Sequence, residues 1–180
     1  MSGRGARSDS GGASPRKRIF DPTDLFRALA EADIAYILVG GLAVGLHGYI
    51  RGTRDLDICP DPDEENLRRL AEFIKAVDAV NADEAELNAD EIVAHDLKGL
   101  RGGGNFRLST NLGPLDLMQY IEPFGDETWA TLDRSAETRT AFGVKVRSCS
   151  YEDLLKMKQA ANRPQDQIDV ESLRAARREL

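Results

Sequence analysis

One block constrains the fold of this chain more than any other. An apolar run, Tyr36-Ile37-Leu38-Val39, ends in Gly40-Gly41, and thirteen residues then separate Gly41 from Asp55-Leu56-Asp57-Ile58. The apolar run predicts a buried strand over 34–39, and the residues after the glycines predict a short helix over 41–49. Glycines at a strand-to-helix turn allow backbone conformations that a Cβ disfavours. Free N–H groups at the start of such a helix are natural donors to phosphate. In Asp55-Leu56-Asp57-Ile58, a strand over 54–59 turns both carboxylates to one face and both apolar side chains to the other. Paired carboxylates beside phosphate donors suit a magnesium nucleotide, because Mg²⁺ is commonly held by one or two carboxylates plus substrate phosphates.

The rest of the pattern surrounds this block with alternating helices and strands. Asp21 and Pro22 read as the N-cap and first position of a helix reaching about Glu31, with Leu25, Phe26 and Leu29 inward. After Pro60-Asp61-Pro62, a helix over 63–76 buries Leu67, Leu70, Phe73 and Ile74. The acidic stretch 78–98, with Asp83, Glu84, Glu86, Asp90, Glu91 and Asp96, reads as a solvated helical surface, and His95 after it as solvated. Gly102-Gly103-Gly104, between Lys98 and Arg107, reads as a mobile surface turn that could alternatively touch an acceptor phosphate. Strands over 105–110 and 114–121 form a hairpin through Asn111-Leu112-Gly113, and 137–148 a second one around Phe142-Gly143. A short helix over 126–134 and two closing helices, 150–161 and 164–178, complete the pattern. The fold class is α+β, a small mixed sheet flanked by helices with further helices at the C-terminus.

At 180 residues the chain fits one domain. Residues 1–18, rich in Gly, Ser and Arg, carry a net charge of +4, and residues 19–180 carry −11. The expectation is a disordered basic tail over 1–18 and a single domain over 19–180. The tail reads as a solubilising leader or the product of an imprecise start codon rather than an arm that touches nucleic acid. The acidic body argues against extensive contact with a phosphate backbone, which normally uses clustered Lys and Arg. Cys59 and Cys149 lack metal-ligand spacing and read as free thiols in a reducing cytoplasm. No apolar run reaches membrane-spanning length, and no secretory signal is expected. His47 reads as a packing or capping residue.

Gly40, Gly41, Arg51, Thr53, Asp55 and Asp57, in the pattern GG-x13-D-x-D, resemble the nucleotidyltransferase superfamily typified by DNA polymerase β. More narrowly, the block resembles small bacterial nucleotidyltransferases related to antibiotic-modifying enzymes and abortive-infection toxins. Either half of the pattern is common alone. The joint spacing, the strand context on both sides and Arg51-x-Thr53 make it specific. The resemblance extends to Gly113-Pro114-Leu115-Asp116-Leu117-Met118, where Asp116 matches a third carboxylate. It reaches also to the segment Ser150–Lys158 followed by Asn162-Arg163-Pro164-Gln165-Asp166.

What the resemblance implies is a metal-dependent transfer of a nucleoside monophosphate from an NTP to an acceptor hydroxyl, with Mg²⁺ or Mn²⁺ as cofactor. Asp55, Asp57 and Asp116 would be the catalytic and metal-binding carboxylates. Gly40, Gly41, Arg51, Thr53 and Lys158 would serve the nucleotide. Two of these have a structural alternative: Arg51, like Arg54, could instead pair with an acid of the fold, and Lys158 could be a surface lysine lying along its helix. The acceptor could be a small molecule such as an aminoglycoside or lincosamide, an RNA 3′ end or a protein hydroxyl, and an antitoxin is a possible partner. The competing function is a non-catalytic binding module on the same fold, such as a toxin–antitoxin component. A metal-dependent phosphohydrolase lacks the histidines such sites commonly use.

Overall fold

The computed structural model describes residues 20–82 and 95–178. The basic tail and the acidic residues Asp83, Glu84, Glu86, Asp90 and Glu91 lie outside the described residues. Seven strands form one mixed sheet, in the order β3-β4-β5-β2-β1-β7-β6. The central strands are β1 (Tyr36–Leu38) and β2 (Leu56–Pro60), which pair antiparallel. β5 (Gly113–Met118) runs parallel to β2, and β7 (Val144–Ser148) parallel to β1. The flanks are two hairpin-like pairs. β4 (Asn105–Thr110) pairs with β5, and β6 (Glu137–Ala141) with β7. A two-residue strand, β3 (Val80–Asn81), closes one edge. The expected α+β class and both hairpins are observed.

Seven helices complete the fold among the described residues: α1 (Thr23–Glu31), α2 (Gly40–Leu46), α3 (Glu64–Ala76), α4 (Leu97–Arg101), α5 (Thr128–Ser135), α6 (Tyr151–Ala161) and α7 (Pro164–Arg178). Local chemistry accounts for several of their ends. Asp63 caps α3 by accepting from the N–H groups of Glu65 and Asn66, and Ser150 caps α6 by accepting from Asp153 N–H. α6 stops at Asn162, which takes a left-handed conformation with φ 47°. Proline then opens α7, where its missing N–H costs nothing.

The core lies between sheet and helices. Leu56, Ile58, Leu115 and Leu117 are fully buried, as are Leu25, Phe26 and Leu29 of α1. Leu67, Leu70, Phe73 and Ile74 face inward from α3 as the periodicity requires. Phe26 stacks on Phe142 of the β6–β7 turn with ring centroids 4.6 Å apart. Cys59 and Cys149 are free and buried, and burial pushes both thiols up to about 12.

Several expectations need correction. Pro22 occupies the N-cap position of α1, and Asp21 instead accepts from Thr23 N–H. The first strand is half its expected length, because the chain turns at Val39 to enter α2. Lys98 and Arg101 belong to helix α4, not to a mobile turn. Asp96 caps that helix, Leu100 is buried under it, and Arg101 pairs with Glu64 of α3. His95 is half-buried, and its Nε2 bonds the carbonyl of Ala79 at 3.1 Å. Among the described residues no helix is long and apolar enough to cross a membrane.

Candidate functional site

Sheet register assembles the site. On adjacent parallel strands, Asp57 of β2 stands directly beside Asp116 of β5. Asp116 in turn stands opposite Arg107 of β4. All three side chains therefore leave the sheet on the same face, away from the leucines and isoleucine that alternate with them. Asp55 lies one residue before β2, at the end of the loop from α2, not within the strand as the alternation alone implied. One oxygen from each of Asp55, Asp57 and Asp116 lies within 4.8 Å of the others. Such an oxygen cluster is capable of coordinating a hard divalent cation.

The electrostatics agree with that capability. Burial, and then the negative charge of Asp55, push Asp57 up to about 6, against the opposing pull of Gly41 N–H, Lys158 and Arg163. Those three groups do not offset the burial of Asp57 and its negative neighbour, so a cation beside its carboxylate would favour the charged form. Thr53 donates its hydroxyl to Asp55 Oδ1 at 3.1 Å, and Arg107 Nε lies 3.9 Å from Asp116 Oδ2.

The glycine pair has a role that sequence reasoning missed. Gly40 has φ +65°, and a Cβ placed there would overlap the Asp57 carboxylate. A Cβ on Gly41 would sit 2.7 Å from Thr53 Oγ1 and 3.2 Å from Arg51 Nη2. Gly41 N–H points toward Asp57 Oδ2 at a long 3.4 Å. The missing side chains thus make room for the acidic cluster itself. Gly40 and Gly41 nevertheless line a cavity of about 990 Å³ together with Asp55, Asp57, Asp116 and Lys158. Arg51, Thr53 and Arg54 lie on the same wall.

Behind that cavity sits a buried ionic hub. Lys158 is only 8% exposed in its side chain and lies between two carboxylates, 2.9 Å from Asp166 Oδ1 and 3.0 Å from Asp169 Oδ2. It is not a lysine lying along the protein surface. Arg51 donates to Asp169 twice, Nε to Oδ1 at 2.7 Å and Nη2 to Oδ2 at 2.9 Å. Arg51 thus pairs with an acid of the fold. Arg163 donates to Asp166 through Nε at 2.7 Å and through its backbone N–H at 3.2 Å. The second bond is half of a capping box around Pro164. Burial raises the Asp166 and Asp169 carboxyls, but the hydrogen bonds from Arg163, Arg51 and Lys158 outweigh it and hold both below the usual carboxylate range.

Asp169 escaped the sequence reading, although a signal existed. Asp166, Asp169, Val170 and Leu173 share the buried face of α7, and acids within an apolar helix stripe require partners. His47 is structural: its Nε2 donates to the Cys149 carbonyl at 2.8 Å and its ring meets Tyr151 edge-on.

No protein-family model matches the chain, and no curated protein matches it. Among solved structures, the chain is similar to the lincosamide antibiotic adenylyltransferase LnuA, crystallised with lincomycin bound. The identity is 16%, the TM-score 0.55, and the match covers 85% of this chain and 94% of that one. A second likeness, to a "putative nucleotidyltransferase" from Thermotoga maritima, has 16% identity, TM-score 0.45 and coverage of 87% and 94%, a score too low to carry an argument. Topology and the first likeness together establish a polymerase-β-like nucleotidyltransferase fold. On that fold this chain carries an aspartate triad able to hold a divalent metal ion, an arrangement consistent with NTP-using transfer chemistry.

Proposed function

We propose that this protein is a metal-dependent nucleotidyltransferase that moves a nucleoside monophosphate from an NTP to an acceptor hydroxyl. The observation that carries this reading is the convergence of Asp55, Asp57 and Asp116 at a cavity bordered by the glycine turn. The raised proton affinity of Asp57, buried beside the Asp55 carboxylate, supports a cation as the occupant.

Asp55, Asp57 and Asp116 would hold Mg²⁺ or Mn²⁺. A metal held there would supply positive charge against the phosphates. Asp116 takes the proton of the acceptor hydroxyl, directly or through water. The freed oxygen bonds to the α-phosphorus, the bond to pyrophosphate breaks, and pyrophosphate leaves with the electron pair. Gly40, Gly41 and Thr53 border the nucleotide side of the cavity. Arg51 and Lys158 add positive charge there while remaining bound to their carboxylates.

The first acceptor class to test is a small hydroxyl-bearing molecule, since the similar structure is that of a lincosamide adenylyltransferase. An RNA 3′ end and a protein hydroxyl, including that of an antitoxin partner, are the other acceptor arms. The test is incubation with each α-labelled NTP and Mg²⁺, alone and with lincosamides, aminoglycosides, short RNAs or cell extract. Metal-dependent labelling of one acceptor is expected. Tight NTP binding with no labelled acceptor in any arm would favour a non-catalytic module on this fold.

A further inference from the structure

We infer that Asp169 is a positioning residue for the carboxylate site, acting through Arg51 although it touches none of the three clustered aspartates. Asp169 is fully buried on α7 and accepts from four donors: Arg51 Nε and Nη2, Lys158 Nζ and Gln165 Nε2. The paired bonds fix the plane of the Arg51 guanidinium, since a planar fork on a carboxylate has one good arrangement. The third nitrogen of Arg51 donates to the Gly52 carbonyl at 3.0 Å and ties the guanidinium to its own loop.

The oriented guanidinium then lies against the site. Its Nη2 borders the space beside Gly41 in which a Cβ would lie 3.2 Å away. Thr53 fills the adjoining space and donates to Asp55. Gly41 N–H faces Asp57. The guanidinium therefore pins the loop that begins at Arg51 to α7, and two residues later that same loop carries Thr53, which donates to Asp55. Partners that orient metal ligands from behind are commonly worth 10- to 100-fold in metal affinity, about tenfold being the smaller expectation here.

The competing account is that the pair only braces α7 against the body. That account predicts a lower melting temperature with unchanged metal affinity in whatever remains folded. The experiment measures Mn²⁺ binding by electron paramagnetic resonance on the full chain at 10 °C, with folding checked by circular dichroism. Asp169→Asn and Arg51→Met should each weaken Mn²⁺ binding about tenfold. The double variant should lose no more than the larger single loss, because both changes cut the same link. Glu152→Gln removes an exposed pairing with Arg177 that also braces α6 against α7. It should leave Mn²⁺ affinity unchanged.

Folded Asp169→Asn with wild-type Mn²⁺ affinity would overturn the inference. If that variant does not fold, Arg51→Lys carries the test, since it keeps the positive charge beside Asp169 but loses the fork. A tenfold loss supports positioning, and no loss overturns it. The inference depends on the proposed function only through the metal. Wild-type protein that binds Mn²⁺ but no NTP would sink the transferase reading alone, and wild-type protein that binds no Mn²⁺ would sink both.

Discussion

Two neighbouring groups of aspartates behave in opposite ways. Asp55, Asp57 and Asp116 converge beside the central strands β2 and β5, and burial and the charge of Asp55 push Asp57 up to about 6. Asp166 and Asp169 expose almost nothing to solvent, yet they are held below the usual carboxylate range because Lys158, Arg51 and Arg163 donate to them. Burial acts in the same direction on both groups. The difference is the presence of charged donors at hydrogen-bond distance. One cluster is complete as a structural brace, and the other is capable of coordinating a cation.

The comparison breaks first at turnover. Asp116→Asn should keep most of the NTP affinity, because Asp55 and Asp57 remain. It should lose about 10²–10³-fold in transfer rate, the usual cost of an electrostatic contributor felt mainly in the transition state. Single-turnover labelling beside nucleotide titration measures both quantities, and full activity would remove Asp116 from the site.

The next effect is on stability. Lys158→Met leaves two carboxylates in the interior without their shared partner and should cost about 3–5 kcal/mol. Urea unfolding at neutral pH measures this, and a loss below about 1 kcal/mol would mean that the hub is solvated in solution. The same hub predicts an acid limit. Its carboxyls titrate lower in the folded than in the unfolded state, so their contribution is fully present above the unfolded value near 3.8. It is lost as pH falls from there through the lowered folded values. In Lys158→Met this acid-dependent loss of stability should shrink.

A change of opposite sign sharpens the contrast. Asp57→Asn removes one of several crowded like charges, so the metal-free protein should melt slightly higher, by roughly 1 kcal/mol or less. Asp169→Asn should melt lower. Mg²⁺ or Mn²⁺ should raise the melting temperature of wild type and have little effect on Asp57→Asn. Thermal scans with and without metal test all three statements. Equal metal-induced shifts in wild type and Asp57→Asn would put the cation elsewhere.

The smallest effect concerns the glycine turn. Gly41→Ala adds one methyl group against Thr53 and Arg51. It should reduce metal–NTP affinity several-fold with a smaller change in melting temperature, since Thr53 must shift to admit it. Normal binding in that variant would make Gly41 a hinge without a part in the site.

Much of the architecture follows from neighbours in the chain. A two-residue alternation predicts which face Asp57 and Asp116 take, since strand geometry leaves only two choices. Asp63, Ser150, Asn162 and Pro164 mark helix ends because capping is satisfied within a few residues. The Gly-Gly and Asp-x-Asp block is legible for the same reason: each half is one turn or one strand. Other features depend on topology. Parallel pairing of β2 with β5 brings Asp57 and Asp116 side by side, although they lie 59 positions apart in the chain. The fold also carries Asp169 to Arg51 across 118 positions. Only then does Lys158 become a buried cation between two acids, and only then does the missing Cβ of Gly40 become the space that holds the Asp57 carboxylate. Periodicity and capping are short-range and survive in the sequence. Charge compensation depends on which groups meet at about 3 Å, and packing of distant segments alone decides that.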